Sequence, residues 1–520
     1  MFCLADITRR HAVARADKPA LICDDRSLSY AELDAECCQV ANALLAAGVG
    51  PQDRVGFVGK NISEYFTYTF GAAKLNAVTV AVNWRLAPPE MAYILDNAEA
   101  KVVLLEAEFL GHLEKMELPG KPLIVVVGEA GLHSSYADWI AEQPTSDPNY
   151  PTAPDDTALQ LYTSGTTGLP KGAELSNRNF EAILGSISEM MSLHDASVLL
   201  HVLPLFHIGG SGVAIIGLNV GVTNVVHRDV DPPRIFADIP AYKITSGFMV
   251  PALLQLLPTL PGAQEVDFSS LDTILYGASP ITEEALVASM RLLKCGHAQA
   301  YGLTETTGAI IWLPPEDHDP GGPRARLLRA AGKPVPGAEI RIVDFDGKEV
   351  GEGEVGEIWS RTAQNMKGYW RNEKATAEAF PEGRNAQGLG WFRTGDVGYL
   401  EDGYLFIHDR VKDMIVSGGE NVYPAEIENA IMAHPEVADV AVIGIPSDRW
   451  GESPLALIVP VDGADPSEAD IIAHCLDRLA RFKLPSAVQR IDAIPRNPSG
   501  KILKTELRKP YWEGRERAVN

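Results

Sequence analysis

A short apolar run, Ala158 to Tyr162, passes without a spacer into Thr163-Ser164-Gly165-Thr166-Thr167-Gly168-Leu169-Pro170-Lys171-Gly172, and this junction constrains the fold more than any other stretch. The run reads as a buried strand. Its continuation combines three glycines, several hydroxyls and one cation, so the backbone can come close to anionic oxygens while Thr163, Ser164, Thr166, Thr167 and Lys171 supply donors. A strand that ends in such a loop suits a polyphosphate. The spacing is not that of a Walker loop, which places four residues between its last two glycines and follows with Lys-Ser/Thr; here Lys171 precedes Gly172.

The rest of the chain supplies a scaffold for that loop. Between Leu28 and Ala100, amphipathic stretches such as Tyr30 to Ala47 alternate with β-rich runs such as Arg54 to Val58 and Ala77 to Val82, the rhythm of βα units in a parallel sheet. Val102 to Leu105 and Leu123 to Val127 continue it, and the Pro/Asp/Ser-rich piece from Gln143 to Asp156 reads as a surface connection. Glu339 to Val343 and Gly356 to Ser360 predict a smaller β-rich subdomain. Beyond Gly403 to His408, a helix opening at Pro424, another opening at Ser467 with Asp470, and strands at Val440 to Ile445 and Leu455 to Val459 predict a compact α/β unit.

At 520 residues the chain is long enough for more than one domain. Its net charge of −24 argues against nucleic acid or an anionic membrane as partner, because both favour a basic surface. The six cysteines, Cys3, Cys23, Cys37, Cys38, Cys295 and Cys475, lack metal-ligand spacing and read as reduced, mostly buried thiols. No apolar run reaches the roughly 20 residues that span a bilayer, and Asp6, Arg9 and Arg10 stand where a secretory core would be apolar. These features predict a cytoplasmic protein without a transmembrane segment.

Four further segments follow the loop in order: Tyr301-Gly302-Leu303-Thr304-Glu305, Trp391-Phe392-Arg393-Thr394-Gly395-Asp396, Asp409-Arg410-Val411-Lys412-Asp413 and Pro495-Arg496-Asn497-Pro498-Ser499-Gly500-Lys501. With them the chain resembles, over nearly its whole length, the adenylate-forming superfamily of acyl-CoA synthetases, luciferases and peptide-synthetase adenylation domains, most closely its fatty-acyl-CoA ligases. The resemblance implies an α/β fold. It has a large N-terminal domain with parallel-rich sheets and a β-rich subdomain, here residues 1–410, and a small mobile α/β C-terminal domain, residues 411–520. It also implies ATP, magnesium and CoA as cofactors and a small carboxylic acid as substrate, and it leaves a homodimer open.

By the same resemblance, the loop from Thr163 to Lys171, with Gly165 and Gly168, holds the β- and γ-phosphates, Thr304 contacts the phosphates, and Glu305 is the magnesium ligand. Gly277, Ala278, Ser279, Gln299 and Tyr301 form the adenine slot, while Asp396 and Arg410 take the ribose. Lys501 bridges the carboxylate and the α-phosphate during adenylation. Lys412 is the hinge about which the small domain turns for the thioester step, and there many relatives carry Asp. After rotation Gly419 lines a pantetheine tunnel, with Trp450 and Phe482 as pantetheine or adenine contacts and Lys483 on a CoA phosphate.

His207, in Pro204-Leu205-Phe206-His207-Ile208-Gly209-Gly210-Ser211-Gly212, matches a gating position beside the substrate carboxylate, and the absence of Asp between Phe206 and Gly217 disfavours an amino-acid substrate. Gly209, Gly302, Gly308 and Ala309 fall where relatives wall the acyl pocket. Small side chains there, with Phe248-Met249-Val250 and Ile310-Ile311 nearby in sequence, favour an aliphatic acid held by burial at about 25 cal/mol per Å². A medium- or long-chain fatty acid ranks first, a sterol-derived or other cyclic acid second and an aryl acid third. Transfer to a carrier protein ranks below transfer to CoA, because fatty-acyl-AMP ligases usually carry an insertion for which Gly337 to Arg410 is too short. A noncatalytic nucleotide-binding protein ranks lowest, given Lys171, Glu305, Asp396, Arg410 and Lys501 together.

Overall fold

The computed structural model describes residues 2–24, 26–163, 169–344, 346–418, 420–447, 449–476, 478–496 and 501–513. Within them the alternation of apolar strands and amphipathic helices produces two large sheets. One has nine strands, ordered Lys333–Pro334, Gly308–Leu313, Gly296–Leu303, Thr273–Gly277, Ser246–Met249, Val198–His201, Thr223–Val226, Pro19–Cys23 and Arg26–Ser29. Its six inner strands run parallel and its edges antiparallel. The other has eight strands and is parallel from Thr157–Thr163 through Val78–Val82, Arg54–Val58 and Val102–Glu106 to Leu123–Val127. Every residue of Arg54–Val58, Val78–Val82 and Val102–Glu106 is buried, as expected of parallel strands covered on both faces.

The helices Tyr30–Ala46 and Ser63–Lys74 share one apolar cluster with both sheets: Tyr30, Leu33, Phe66 and Phe70 meet Leu21 and Val226 from one and Val55, Leu104 and Leu159 from the other. The first of these helices starts where it does because of a capping box. Ser29 Oγ accepts from the Glu32 amide (3.2 Å) and Glu32 Oε2 accepts from the Ser29 amide (2.8 Å). All six cysteines are free, five of them buried.

A four-stranded antiparallel sheet, Glu339–Val343, Gly356–Arg361, Phe392–Glu401 and Tyr404–Arg410, forms the predicted β-rich subdomain. The chain leaves it at the short 3₁₀ turn Val411–Asp413 and enters a sheet of Glu420–Val422, Ile415–Ser417, Gly451–Pro460, Val437–Ser447 and Ala487–Arg490, backed by helices Pro424–Met432 and Glu468–Leu476. This is the small α/β module that the sequence leads one to expect. No helix among the described residues is long and apolar enough to cross a membrane.

The architecture fixes where chemistry can occur. Strands of the nine-stranded sheet end at the segments that carry His207, Gly277-Ala278-Ser279 and Thr304-Glu305, the carboxyl-end position at which open α/β sheets bind ligands.

Candidate functional site

One strand and its turn carry Gln299, Tyr301, Gly302, Thr304 and Glu305 in order. Ala298 and Ala300 of Gly296–Leu303 are buried, while Gln299 and Tyr301 occupy its other face, and the strand runs into the 3₁₀ turn Thr304–Thr306. Successive candidates are therefore spaced along a single rigid element.

At the turn, Glu305 is 8 % exposed, and its Oε1 accepts from Thr163 Oγ1 (2.9 Å) and from Tyr369 Oη (3.0 Å). Thr163 and Lys171 are register partners at the mouth of the hairpin Thr157–Thr163/Lys171–Ser176, and the Lys171 ammonium lies 5.2 Å from the Tyr369 ring. Thr163, Lys171, Glu305 and Tyr369 thus converge. Ser164, Gly165, Thr166, Thr167 and Gly168 lie outside the described residues. Burial and then Glu305 push the Tyr369 phenol well up, so it stays a donor.

Four residues before Glu305, Tyr301 Oη donates to Asp396 Oδ2 (2.8 Å), and Arg410, the cross-strand partner of Asp396, places Nε 3.4 Å from Oδ1. Burial raises the Asp396 carboxyl, while Arg410 and Tyr301 pull the other way. At Gly277 an added Cβ would stand 2.2 Å from the Ala300 carbonyl oxygen, so glycine is dictated by strand-to-strand contact. Ala278 adopts φ 70°, a strained value for a non-glycine residue, at the point where the strand turns out to Ser279.

His207 caps the helix Ile208–Val220 through its carbonyl and packs its ring 4.5 Å from Phe206. Its Nε2 is buried without a hydrogen-bond partner among the described residues. Burial and then the charge of Arg85 hold its pKa down to about 4, so the ring is neutral at physiological pH. A Cβ on Gly209 would meet Phe248 at 3.1 Å and Leu203 at 3.4 Å, and one on Gly308 (φ 111°) would meet Ile183 at 3.0 Å. Ala309 is buried. Gly302 has a different reason for being glycine: its Cβ would lie 1.8 Å from the Gly308 carbonyl oxygen, across the hairpin.

Lys412 and Lys501 belong to a second constellation. Lys412 sits in the turn Val411–Asp413, where burial and then Arg410 depress its pKa, and its carbonyl accepts from Arg508 Nη1 (3.2 Å). Arg508 Nη2 also meets Asp413 Oδ1 (2.5 Å), and Lys504 Nζ lies 2.9 Å from Glu428 Oε1 and 3.5 Å from Asp409 Oδ2. Burial works against charge at Lys504, but Asp409 and Glu428 outweigh it and raise its pKa; burial correspondingly raises Glu428, with Lys504 opposing. Lys501 precedes the short helix Lys504–Arg508 that carries these contacts, in a segment tied down by the Arg496–Ile502 bridge and by the Leu503 amide donating to the Pro495 carbonyl (2.8 Å).

The residues assigned to the thiol acceptor lie on the small module. Trp450 and Phe482 are 47 % and 46 % exposed and so are not core aromatics, and the Arg449 guanidinium stacks 4.4 Å from the Trp450 ring. Trp450 abuts Gly418 (φ 63°), whose Cβ would be 2.8 Å from the indole. Gly419 lies outside the described residues. Lys483 is held bidentately by Glu426 at 2.6 and 2.7 Å, which neutralises its charge in this orientation.

Sequence reasoning missed Tyr369, whose signal was an aromatic pair, Tyr369-Trp370, in an otherwise polar stretch. It also missed Lys504 and Arg508, which no motif singles out.

Residues 8–370 match the AMP-binding enzyme family, and residues 426–501 match the AMP-binding enzyme C-terminal domain. The chain is 42% identical to a fatty acid–[acyl-carrier-protein] ligase of Streptomyces coeruleorubidus, over 99% of this chain and 98% of the relative. It is 36% identical to a long-chain-fatty-acid–CoA ligase of Mycobacterium tuberculosis, over 94% of each. Among solved structures, an anthranilate CoA ligase in complex with anthranoyl-AMP superposes with a TM-score of 0.89 at 29% identity, covering 98% of this chain and 97% of that one. The protein belongs to the AMP-binding enzymes, the adenylate-forming superfamily of acid ligases.

Proposed function

We propose that the protein activates a medium- or long-chain fatty acid as its acyl adenylate and transfers the acyl group to a phosphopantetheine thiol. The observation that carries this is the single strand and turn on which Gln299, Tyr301 and Thr304-Glu305 follow one another, with Asp396 and Arg410 beside the second and Thr163, Lys171 and Tyr369 beside the last. Base, ribose and phosphate–metal contacts of one nucleotide require that order. Magnesium–ATP supplies the adenylyl group and a pyrophosphate leaving group.

The donor set fits such a ligand. Magnesium favours one or two carboxylates together with phosphate oxygens and water over an all-protein cage. Glu305 supplies a carboxylate beside Lys171, and the described residues hold no group of three or more His, Cys, Asp or Glu side chains arranged for a metal. In this reading Lys171 neutralises phosphate charge, Asp396 accepts from the ribose hydroxyls, Arg410 orients Asp396, and Lys501 steadies the acid carboxylate against the α-phosphate. These groups act by positioning and charge rather than by proton transfer. The neutral ring of His207 guards the mouth of the acyl pocket. Residues 411–520 then turn about Lys412 to withdraw Lys501 and admit the thiol.

A carrier protein is the acceptor we favour. The relative that shares 42% identity is named for that acceptor, and it aligns over 98% of its own length, so loading a carrier needs no insertion that this chain lacks. The Lys483–Glu426 pair points the same way, since it competes with a CoA phosphate. Free CoA is the second reading, favoured by the 36% identical CoA ligase and by the exposed Trp450 and Phe482. Thioester formation from fatty acid and ATP, with free CoA and separately with a holo acyl carrier protein, tests the choice. A kcat/KM for the carrier well above that for CoA is expected, and the reverse order assigns CoA.

A further inference from the structure

One side chain touches both charged groups at the phosphate end of the site. Tyr369 Oη donates to Glu305 Oε1 (3.0 Å), and the Lys171 ammonium lies 5.2 Å from the centre of the Tyr369 ring. The backbone leaves this tyrosine little choice of place. Gly368–Tyr369 pairs antiparallel with Lys171–Ser176, opposite Glu174 and Ala173, and the flanking amides of Lys367 and Trp370 donate to the carbonyls of Glu174 (2.9 Å) and Gly172 (2.7 Å). The Met366 amide donates to the Glu305 carbonyl (2.7 Å), and the Tyr369 amide to Thr376 Oγ1 (2.9 Å). The segment is thereby stitched at once to the strand that carries Lys171 and to the turn that carries Glu305.

The two side-chain bonds at Glu305 fall on the same atom. Oε1 accepts from Thr163 Oγ1 (2.9 Å) as well as from Tyr369, and among the described residues no donor reaches Oε2. Two donors on one carboxylate oxygen fix the plane of the group and leave the second oxygen to a cation. Lys171 is a cation close by, and opposite charges in a partly buried site attract. A direct Lys171–Glu305 pair would cancel both the positive charge that faces phosphate and the oxygen that faces a metal. Among the described residues Lys171 instead meets the face of Tyr369, where the ring quadrupole holds an ammonium without neutralising it.

We propose that Tyr369 is a positioning residue that presents Glu305 Oε2 to magnesium and holds Lys171 for the phosphates, keeping the two opposite charges from pairing with each other. The inference rests on the reading of Glu305 as the magnesium ligand. Hydroxyl and ring have separable parts in it: the hydroxyl serves the carboxylate and the ring serves the ammonium.

Calorimetric titration of ATP with excess magnesium and with EDTA gives two affinities whose ratio is the magnesium factor. AMP, which lacks the β- and γ-phosphates, is the control for the base and ribose end. Tyr369→Phe keeps the ring and loses the hydroxyl, so the magnesium factor should fall about tenfold or more, the range for residues that orient a metal ligand, with AMP and metal-free ATP binding as in the parent. Tyr369→Leu removes the ring as well and lets Lys171 close on Glu305, so metal-free ATP should also weaken, about two- to fivefold, while AMP does not. A merely structural role would weaken all three equally and leave the factor where it was. An unchanged factor in folded Tyr369→Phe, or unchanged metal-free ATP binding in folded Tyr369→Leu, overturns the proposal, as does a parent whose ATP affinity does not respond to magnesium. A parent with a magnesium factor that Tyr369→Phe removes, but with no pyrophosphate release with any acid, refutes the proposed function and leaves the role of Tyr369 standing.

Discussion

Replacing Lys504 with Met asks whether buried charge holds the segment that carries Lys501. The Lys504 side chain is 9 % exposed, and the carboxylates it meets, Glu428 at 2.9 Å and Asp409 at 3.5 Å, are 15 % and 8 % exposed. Met retains the length of the chain and removes the ammonium. Deleting one partner of a buried ion pair costs about 3–5 kcal/mol. Because Arg508 still faces Asp413 at 2.5 Å, the lower end, about 3 kcal/mol, is the expected loss.

The loss should depend on pH with a definite sign. Burial already raises Glu428, and removal of Lys504 raises it further. A group whose folded pKa exceeds its unfolded value contributes stability below the unfolded value and loses it as pH rises through the folded one. The deficit is therefore largest above neutrality and shrinks as the pH falls toward the ordinary range of a carboxylate. Hydrogen exchange gives the local readout: the amides of Ala425 and Val442 donate to Asp409 and Glu428 at 3.0 and 2.7 Å and should lose protection while the two large sheets keep theirs. Adenylation should fall with it. Unchanged protection at these amides, or an equal loss throughout the chain, would refute the idea of a charge-held segment.

Four further outcomes are expected. Lys501→Ala should nearly abolish adenylation while synthetic acyl-AMP is still converted to thioester; equal loss of both half-reactions in a folded variant removes Lys501 from its assigned role. Lys412→Pro fixes φ and restricts Val411, so pyrophosphate release should persist while thioester formation stops, and full thioester formation would move the hinge elsewhere. Gly209→Trp would press on Phe248 and Leu203, whose atoms lie 3.1 and 3.4 Å from an added Cβ, at a cost of about 1–3 kcal/mol where they do not yield; kcat/KM should fall more for palmitate than for acetate, and a uniform fall takes Gly209 out of the acyl pocket. Burial holds His201, His207 and His297 down to about 4 against an ordinary 6.5, so the unfolded chain binds more protons between these values, and stability measured by denaturant should fall as pH drops from 6.5 toward 4, less steeply in His207→Phe.

Much of the fold was legible because its signals are local. The runs Arg54 to Val58 and Leu123 to Val127 are strands over those same residues, and the amphipathic stretch expected from Tyr30 to Ala47 is the helix Tyr30–Ala46. The site was legible only through motifs: Thr163 meets Glu305 across 142 positions and Tyr301 meets Asp396 across 95, and no periodicity encodes such pairings. Tyr369 and Lys504 were illegible for the same reason without a motif to compensate. A tyrosine in a polar stretch looks like ordinary surface until its hydroxyl is seen on a carboxylate 64 positions away. Gly302 and Gly308, alike in sequence, separate only in space, one packed against backbone and the other facing Ile183.

Acyl-adenylate formation is the first half-reaction, and fatty-acid-dependent exchange of labelled pyrophosphate into ATP, measured with no thiol present, reads it alone. Medium- and long-chain acids should drive exchange, with AMP as the nucleotide product once a thiol is added. Absence of exchange with every acid tried, or formation of ADP and phosphate instead, would contradict it.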